Sequence, residues 1–222
     1  MAKKETVQRL YLMLPPITEL GDWPQKLQAA LGAGDVACVL APVSARDEGD
    51  AKKITKALMD ITEPAGVALL IDAPSLVMRA GADGAHVRVT PDTLEKSLQS
   101  AVETLKTRED RILGIGGLRA KHDAMIAGEY DVDYVSFGDP APDGFVPPME
   151  LILERTSWWS DIFNVPCVAH APTLADVAAL AKAGADFISL REAVWDDARG
   201  PVAAMADAQE LLTSNANARE RE

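Results

Sequence analysis

The chain has 222 residues and a mass of 23.7 kDa; 48% of it is hydrophobic, 25% charged, and its mean hydropathy is −0.01, which excludes intrinsic disorder as a description of the whole. A formal charge of −12, from 22 basic and 34 acidic residues, argues against nucleic acid and anionic membranes as partners, yet leaves room for an anionic small molecule held by a few arginines. Cys38 and Cys167 lie far apart without metal-type spacing and read as buried thiols in a reducing compartment.

The N-terminal apolar run over 10–14 is short, follows Glu5 and Arg9, and stops at Pro15. No signal peptide is expected there, no stretch reaches the length of a membrane span, and a cytoplasmic location is expected. From this run onward, short apolar segments alternate with amphipathic ones. Strands are predicted over 9–14, 36–42, 66–72, 84–89, 111–116, 134–138, 166–170 and 187–191. Helices are predicted over 23–31, 50–61, 74–80, 91–106, 119–127, 147–161, 173–183 and 201–213, with Thr173 and Asp176 as a capping box. Eight strand–helix units imply a parallel sheet closed into a (β/α)8 TIM barrel, an α/β fold forming one domain over 1–215. A doubly wound open sheet is the alternative, and the charged tail over 216–222 is expected to fray.

An internal repeat supports closure. Ala80-Gly-Ala-Asp83 leads into Gly84-Ala-His-Val-Arg88, and Ala183-Gly-Ala-Asp186 leads into Phe187-Ile-Ser-Leu-Arg191; Asp35 and Asp133 open weaker copies. The four aspartates recur about every 50 residues, one per pair of units. Strand alternation then assigns faces. Ala37/Val39, Ala85/Val87, Val135/Phe137 and Ile188/Leu190 should lie under the helices, with Cys38, His86, Ser136 and Ser189 in an interior layer. The next layer, at the C-terminal mouth, would hold Leu40, Arg88, Gly138 and Arg191.

Arg88 and Arg191, on strands expected to face each other, suit a phosphorylated or dianionic small molecule, unless each pairs with a neighbouring acid such as Glu192, Asp72 or Asp139. Asp72, ending the third strand, suits either Mg²⁺ beside a ligand phosphate or the cap of the next helix. Gly114, Gly116 and Gly117 can let backbone amides approach an anion, or form a tight turn. His86 reads as a hydrogen-bonded interior residue, whereas His170, ending the seventh strand, is the candidate for acid–base or phosphate contact. Trp158 and Trp159 fit helix packing, a lid with the loop over 139–148, or the interface of a homo-oligomer.

The order of these pieces resembles the thiamine-phosphate synthase family. The likeness runs from Arg9-Leu-Tyr-Leu12 through Ala68-Leu-Leu-Ile-Asp72, Gly81-Ala-Asp-Gly-Ala-His86, Ile112-Leu-Gly-Ile115 and Asp133-Tyr-Val-Ser-Phe-Gly138 to Gly184-Ala-Asp-Phe-Ile-Ser189. The resemblance implies a barrel that joins a hydroxymethylpyrimidine diphosphate to a thiazole phosphate, with Mg²⁺ and release of pyrophosphate. It also implies Asp72 as a metal carboxylate and Asp92 as a second one, displaced by one position. Gly138, with the glycines after strand five, falls in phosphate-contacting stretches.

The family's active-site pattern is much altered. Cys38-Val-Leu-Ala-Pro42 stands where the family has Gln-x-Arg-Glu-Lys; Ile71 and Ala73 replace the Asn and Arg that flank the metal Asp. Arg88-Val-Thr-Pro91 replaces Gly-Gln-Glu-Asp, Gly116 replaces a Ser, and His170-Ala171 replaces a Gly-Gly phosphate turn; a Thr-x-Thr-Lys stretch is missing after strand six. Losing one group that stabilises transition-state charge commonly costs about 100-fold or more in rate. Weak or lost synthase activity is therefore expected, the alternative being a repurposed barrel that binds another dianion at Arg88 and Arg191.

Overall fold

A computed structural model describes residues 7–107, 110–140 and 142–219. Eight parallel strands close into a barrel in the order β1 to β8. They are β1 (Arg9–Met13), β2 (Val36–Ala41), β3 (Ala68–Ile71), β4 (Gly84–Arg88), β5 (Ile112–Gly116), β6 (Tyr134–Phe137), β7 (Cys167–His170) and β8 (Phe187–Leu190). Around them lie α1 (Trp23–Leu31), α2 (Glu48–Thr62), α3 (Pro74–Ala80), α4 (Leu94–Leu105), α5 (Lys121–Glu129), α6 (Met149–Ile162), α7 (Val177–Lys182), α8 (Glu192–Trp195) and α9 (Pro201–Arg219). The open-sheet alternative is thereby set aside.

Helix α8 is a single turn too short for periodicity to reveal. Helix α9 continues beyond the expected end at 213; residues 216–219 of the tail expected to fray carry helical backbone, and 220–222 lie outside the described residues. Among the described residues no helix is long and apolar enough to cross a membrane.

The repeated aspartates have a common mechanical role. Asp83 Oδ2 accepts the Leu69 amide at 2.7 Å while its own amide donates to the Leu69 carbonyl at 2.9 Å. Asp133 does the same with Leu113, and Asp186 with Cys167. Each aspartate at the start of an even strand thus fastens the start of the odd strand before it. Asp35 varies the theme, binding the Arg9 side chain at 2.9 Å while its carbonyl accepts the Leu10 amide.

Two apolar clusters follow from strand alternation. Outside the strands, Leu12, Val39, Leu69, Ala85, Ile115, Phe137, Ala169 and Ile188 pack under the helices. Inside, Tyr11, Met13, Cys38, Leu40, Leu70, Tyr134 and Val168 fill the lower barrel. Ala37 departs from the predicted outer set: β1 and β2 pair Leu10 with Val36 but Tyr11 with Cys38, so Ala37 is the extra residue of a bulge and packs on the inner cluster.

Helix α6 resolves the tryptophans. Trp159 is fully buried, stacks on Phe163 and donates Nε1–H to the Val165 carbonyl at 2.7 Å. Trp158 packs edge-on against Phe163. Helix packing accounts for both.

Candidate active site at the mouth of the barrel

Above the apolar filling, the barrel interior turns polar. Tyr11 and Tyr134 share a hydrogen bond between hydroxyls at 2.8 Å, and Tyr134 meets His86 Nδ1 at 2.9 Å. His86 Nε2 lies 3.2 Å from Asp139 Oδ2. Burial pushes both phenols well above their ordinary pKa, so they stay protonated. Burial opposes ionisation of Asp139, but hydrogen bonds from His86 and from the Ser136 hydroxyl win and hold its carboxyl below the usual value. One arrangement that pairs both hydroxyl protons has Tyr11 donating to Tyr134, Tyr134 to His86 Nδ1, and His86 Nε2–H to Asp139; Tyr11 also hydrogen-bonds the Cys38 thiol, which allows the reverse direction. The reading of His86 as a satisfied interior histidine agrees with these contacts.

Two glycines exist for this chain of groups. A Cβ on Gly114 would sit 1.9 Å from Tyr134 Cζ; one on Gly116 would sit 2.3 Å from Asp139 Oδ2 and 2.6 Å from His86 Nε2. Gly117 has φ +78°, and a Cβ there would meet the Val89 carbonyl oxygen at 2.4 Å. Gly138 has φ +98°. That left-handed residue breaks the alternation of β6, so the next residue, Asp139, meets groups on the barrel's inside rather than the helices. Sequence alternation alone would have missed Asp139; the Gly-Asp pair at a strand end is the signal that could have flagged it.

His170, ending β7, is buried. Its Nδ1 lies 3.1 Å from Ser189 Oγ and its Nε2 3.8 Å from Glu192 Oε2. Burial lowers its pKa, against the opposing pull of Asp139 and Glu192. Arg191 follows β8 and binds Glu192 through Nε at 2.6 Å and through a second nitrogen. Burial of Glu192 works against its charge, but Arg191 prevails and the carboxyl stays below its usual pKa. Of the two arginine readings, pairing with a neighbouring acid thus holds for Arg191. Arg88, at the end of β4, is half-buried and has no side-chain hydrogen bond or ion pair among the described residues. Strands β4 and β8 stand opposite each other in the closed order.

Asp72 is half-buried past the end of β3, where Oδ1 accepts the Val43 amide at 3.1 Å. It does not cap α3, whose N-cap is Ala73 without a side-chain bond; instead it ties down the loop after β2. Its other oxygen fits Mg²⁺, which is commonly held by one or two carboxylates plus substrate phosphates. Asp92 is exposed in the turn before α4 and lines an outer groove with His122 and Asp123 of α5. Among the described residues, no three His, Cys, Asp or Glu side chains gather as a metal-holding group.

The loops after β1 and β2 enclose a groove of about 620 Å³ lined by Thr18, Glu19, Ser44, Arg46, Asp50 and Lys53. Arg46 places a cation beyond β2, outside the stretch in which the family pattern has its own. On the far side, Arg119 pairs with Asp143 and stands 4.8 Å over the Phe145 ring, pinning the loop after β6 to that after β5.

Fold and site together define a (β/α)8 barrel with polar, titratable groups at the C-terminal mouth, the class of enzyme barrels that carry chemistry on their βα loops. Residues 10–194 match the family model described as thiamine monophosphate synthase, and the chain belongs to that family. It is 35% identical over 207 residues to the thiamine-phosphate synthase of Rhodospirillum centenum, covering 92% of this chain and 97% of that one. It is also 35% identical over 215 residues to the synthase of Erythrobacter litoralis, covering 93% and 98%. The thiamine phosphate pyrophosphorylase of Pyrococcus furiosus superposes with a TM-score of 0.75 at 18% identity, covering 95% of this chain and 98% of its own. That likeness shows the shared fold.

Proposed function

We propose that this barrel catalyses its family's transfer, joining a pyrimidine carried as its diphosphate to a thiazole phosphate, at a rate well below that of a site with the full set of cations. The observation that carries this reading is the contrast between the two mouth arginines. Among the described residues Arg88 has no acidic partner and can receive a diphosphate, whereas Arg191 is already paired with Glu192. The family relatives of 35% identity support the transfer itself.

In this reading Arg88 binds and orients the diphosphate as the bond from the pyrimidine methylene to oxygen breaks and the bond to the thiazole forms. Asp72 would hold Mg²⁺ through its free oxygen, and the metal, when bound, neutralises charge on the leaving pyrophosphate. The buried floor of Tyr134, His86 and His170 excludes water that would otherwise trap the cationic pyrimidine. His170, kept neutral by burial, adds no positive charge beside it.

The test is product formation from both family substrates with Mg²⁺, using highly purified protein beside Asp72→Ala and Arg88→Ala. Slow formation of thiamine phosphate, lost in both variants, is expected. Absence of product, together with binding of another dianion that is lost in both Arg88→Ala and Arg191→Ala, would replace this reading with that of a repurposed barrel.

A further inference from the structure

The chain contains two Asp–Gly steps, Asp83-Gly84 and Asp143-Gly144, and no Asn–Gly step. An aspartate before glycine can react with its own backbone, because glycine carries no side chain to obstruct closure of a five-membered ring onto the next amide nitrogen. In a folded protein the reaction needs a step that is free to turn and an amide that is not engaged. The two steps differ on both counts.

Asp83 is fixed. Its Oδ2 accepts the Leu69 amide at 2.7 Å, and its own amide donates to the Leu69 carbonyl. Gly84 is buried in β4, where a Cβ would fall 2.0 Å from the Ile112 carbonyl oxygen. Reaction there requires β4 to leave the barrel. Asp143, by contrast, lies in the exposed stretch 142–146 of the loop after β6. Its Oδ1 accepts the Phe145 amide at 3.2 Å, so the carboxyl curls forward and Cγ shares a tight turn with the Gly144 nitrogen. Gly144 has φ +83°, open space where a Cβ would stand, and an amide without a hydrogen bond among the described residues. The other carboxylate oxygen, Oδ2, pairs with Arg119, whose guanidinium also lies 4.8 Å over the Phe145 ring. That pairing favours the charged carboxylate, the form from which oxygen departs least readily.

We infer that Asp143-Gly144 is a self-modification site, at which Asp143 converts to isoaspartate in the folded protein while Asp83 does not, and that Arg119 is its brake. The Gly144 nitrogen bonds to Cγ of the protonated carboxyl. The amide hydrogen leaves with the carboxyl hydroxyl as water, and the product is a succinimide ring. Water then adds back at one of the two ring carbonyls. Attack at Cγ restores aspartate; attack at the main-chain carbonyl leaves isoaspartate, with the chain routed through Cβ and Cγ. No oxidant, metal or ligand takes part, so the inference is independent of the proposed transfer. The isomer adds one methylene to the main chain and moves the free carboxylate off the turn. Arg119 thereby loses its partner, and the loops after β5 and β6 are unfastened at that point.

The experiment incubates the full chain for several weeks at neutral pH in heavy-oxygen water. Electron-transfer mass spectrometry then identifies isoaspartate by cleavage of its Cα–Cβ bond. Peptides of residues 80–86 and 142–148, incubated alongside, give the rate of each step without the fold. Both peptides should react, whereas the folded chain should gain heavy oxygen and isoaspartate at Asp143 and none at Asp83. Arg119→Ala should accumulate isoaspartate at Asp143 about 2- to 5-fold faster, the range set by loss of one exposed ion pair. Protection of Asp83 in the same sample reports that the variant is folded. Absence of isoaspartate at Asp143 in wild type, while its peptide reacts, would overturn the inference, and this arm needs no variant. Equal accumulation at Asp83 and Asp143 would overturn it as well, since the reaction would then follow global unfolding. A rate no faster than wild type in an Arg119→Ala chain still protected at Asp83 would overturn the role assigned to Arg119.

Discussion

Glu192 binds its own neighbour, Arg191, at the end of β8, with Nε–Oε1 at 2.6 Å, and stands 3.8 Å from His170 Nε2. An internal carboxylate thus occupies donors that a ligand phosphate would otherwise use. Glu192→Gln should release Arg191 and tighten binding of inorganic pyrophosphate. The pair is partly solvated, with side-chain exposures of 21% for Arg191 and 46% for Glu192, and such pairs contribute about 0.2–1 kcal/mol. The expected gain is therefore modest, up to about 5-fold in Kd by isothermal titration. Unchanged or weaker pyrophosphate binding would show that Arg191 faces no ligand.

Gly116 lies under the carboxylate of Asp139 as a matter of space. Gly116→Ala would drive a methyl group into Asp139 Oδ2 and His86 Nε2, where overpacking typically costs about 1–3 kcal/mol. A lower denaturation midpoint is expected in the ligand-free protein, with Gly114→Ala worse because its clash is with the Tyr134 ring itself. If either variant kept its stability and lost only phosphate affinity, the glycines would serve an anion, as their place in the C-terminal half of β5 allows.

These glycines mark where the sequence stops being legible. Strand–helix alternation and the recurring aspartates were enough for a closed barrel, because both are local signals repeated around the ring. His86, Ser136 and Ser189 fell on the correct face by the same two-residue period. The period failed at Ala37, where a bulge adds a residue, and beyond Gly138, where a positive φ redirects Asp139. Gly114 and Gly116 owe their identity to Tyr134, His86 and Asp139, residues on other strands. No spacing along the chain encodes such a contact. The capture of Arg191 by Glu192 was one of two readings, and only side-chain geometry separates them.

The aspartate repeat predicts a stability effect remote from the mouth. Asp83→Ala removes the acceptor of the Leu69 amide at the start of β3. Loss of a hydrogen-bonded buried partner costs about 1–3 kcal/mol, and a chain of this size loses about 2–4 °C of Tm per kcal/mol. Differential scanning calorimetry should show that decrease, with KM for the family substrates unchanged. An unaltered Tm would mean that the backbone bond from Asp83 to the Leu69 carbonyl suffices by itself.

Burial of His170 makes a prediction in pH. Its pKa in the folded chain lies below the ordinary value of 6.5, so between the two values the unfolded chain binds the extra proton. The stability this confers is fully present above pH 6.5 and is lost as pH falls from there toward the depressed value. His170→Asn removes the titrating group, and its unfolding free energy should be flatter than that of wild type over this window in urea titrations. Asp139, whose carboxyl is held below 3.8, acts in a separate range: its contribution persists above its ordinary pKa and disappears only as pH falls through the lowered one. The two effects therefore separate on one pH–stability curve. Parallel curves for wild type and His170→Asn between pH 5 and 7 would mean that His170 titrates at its ordinary value and reaches solvent through the mouth.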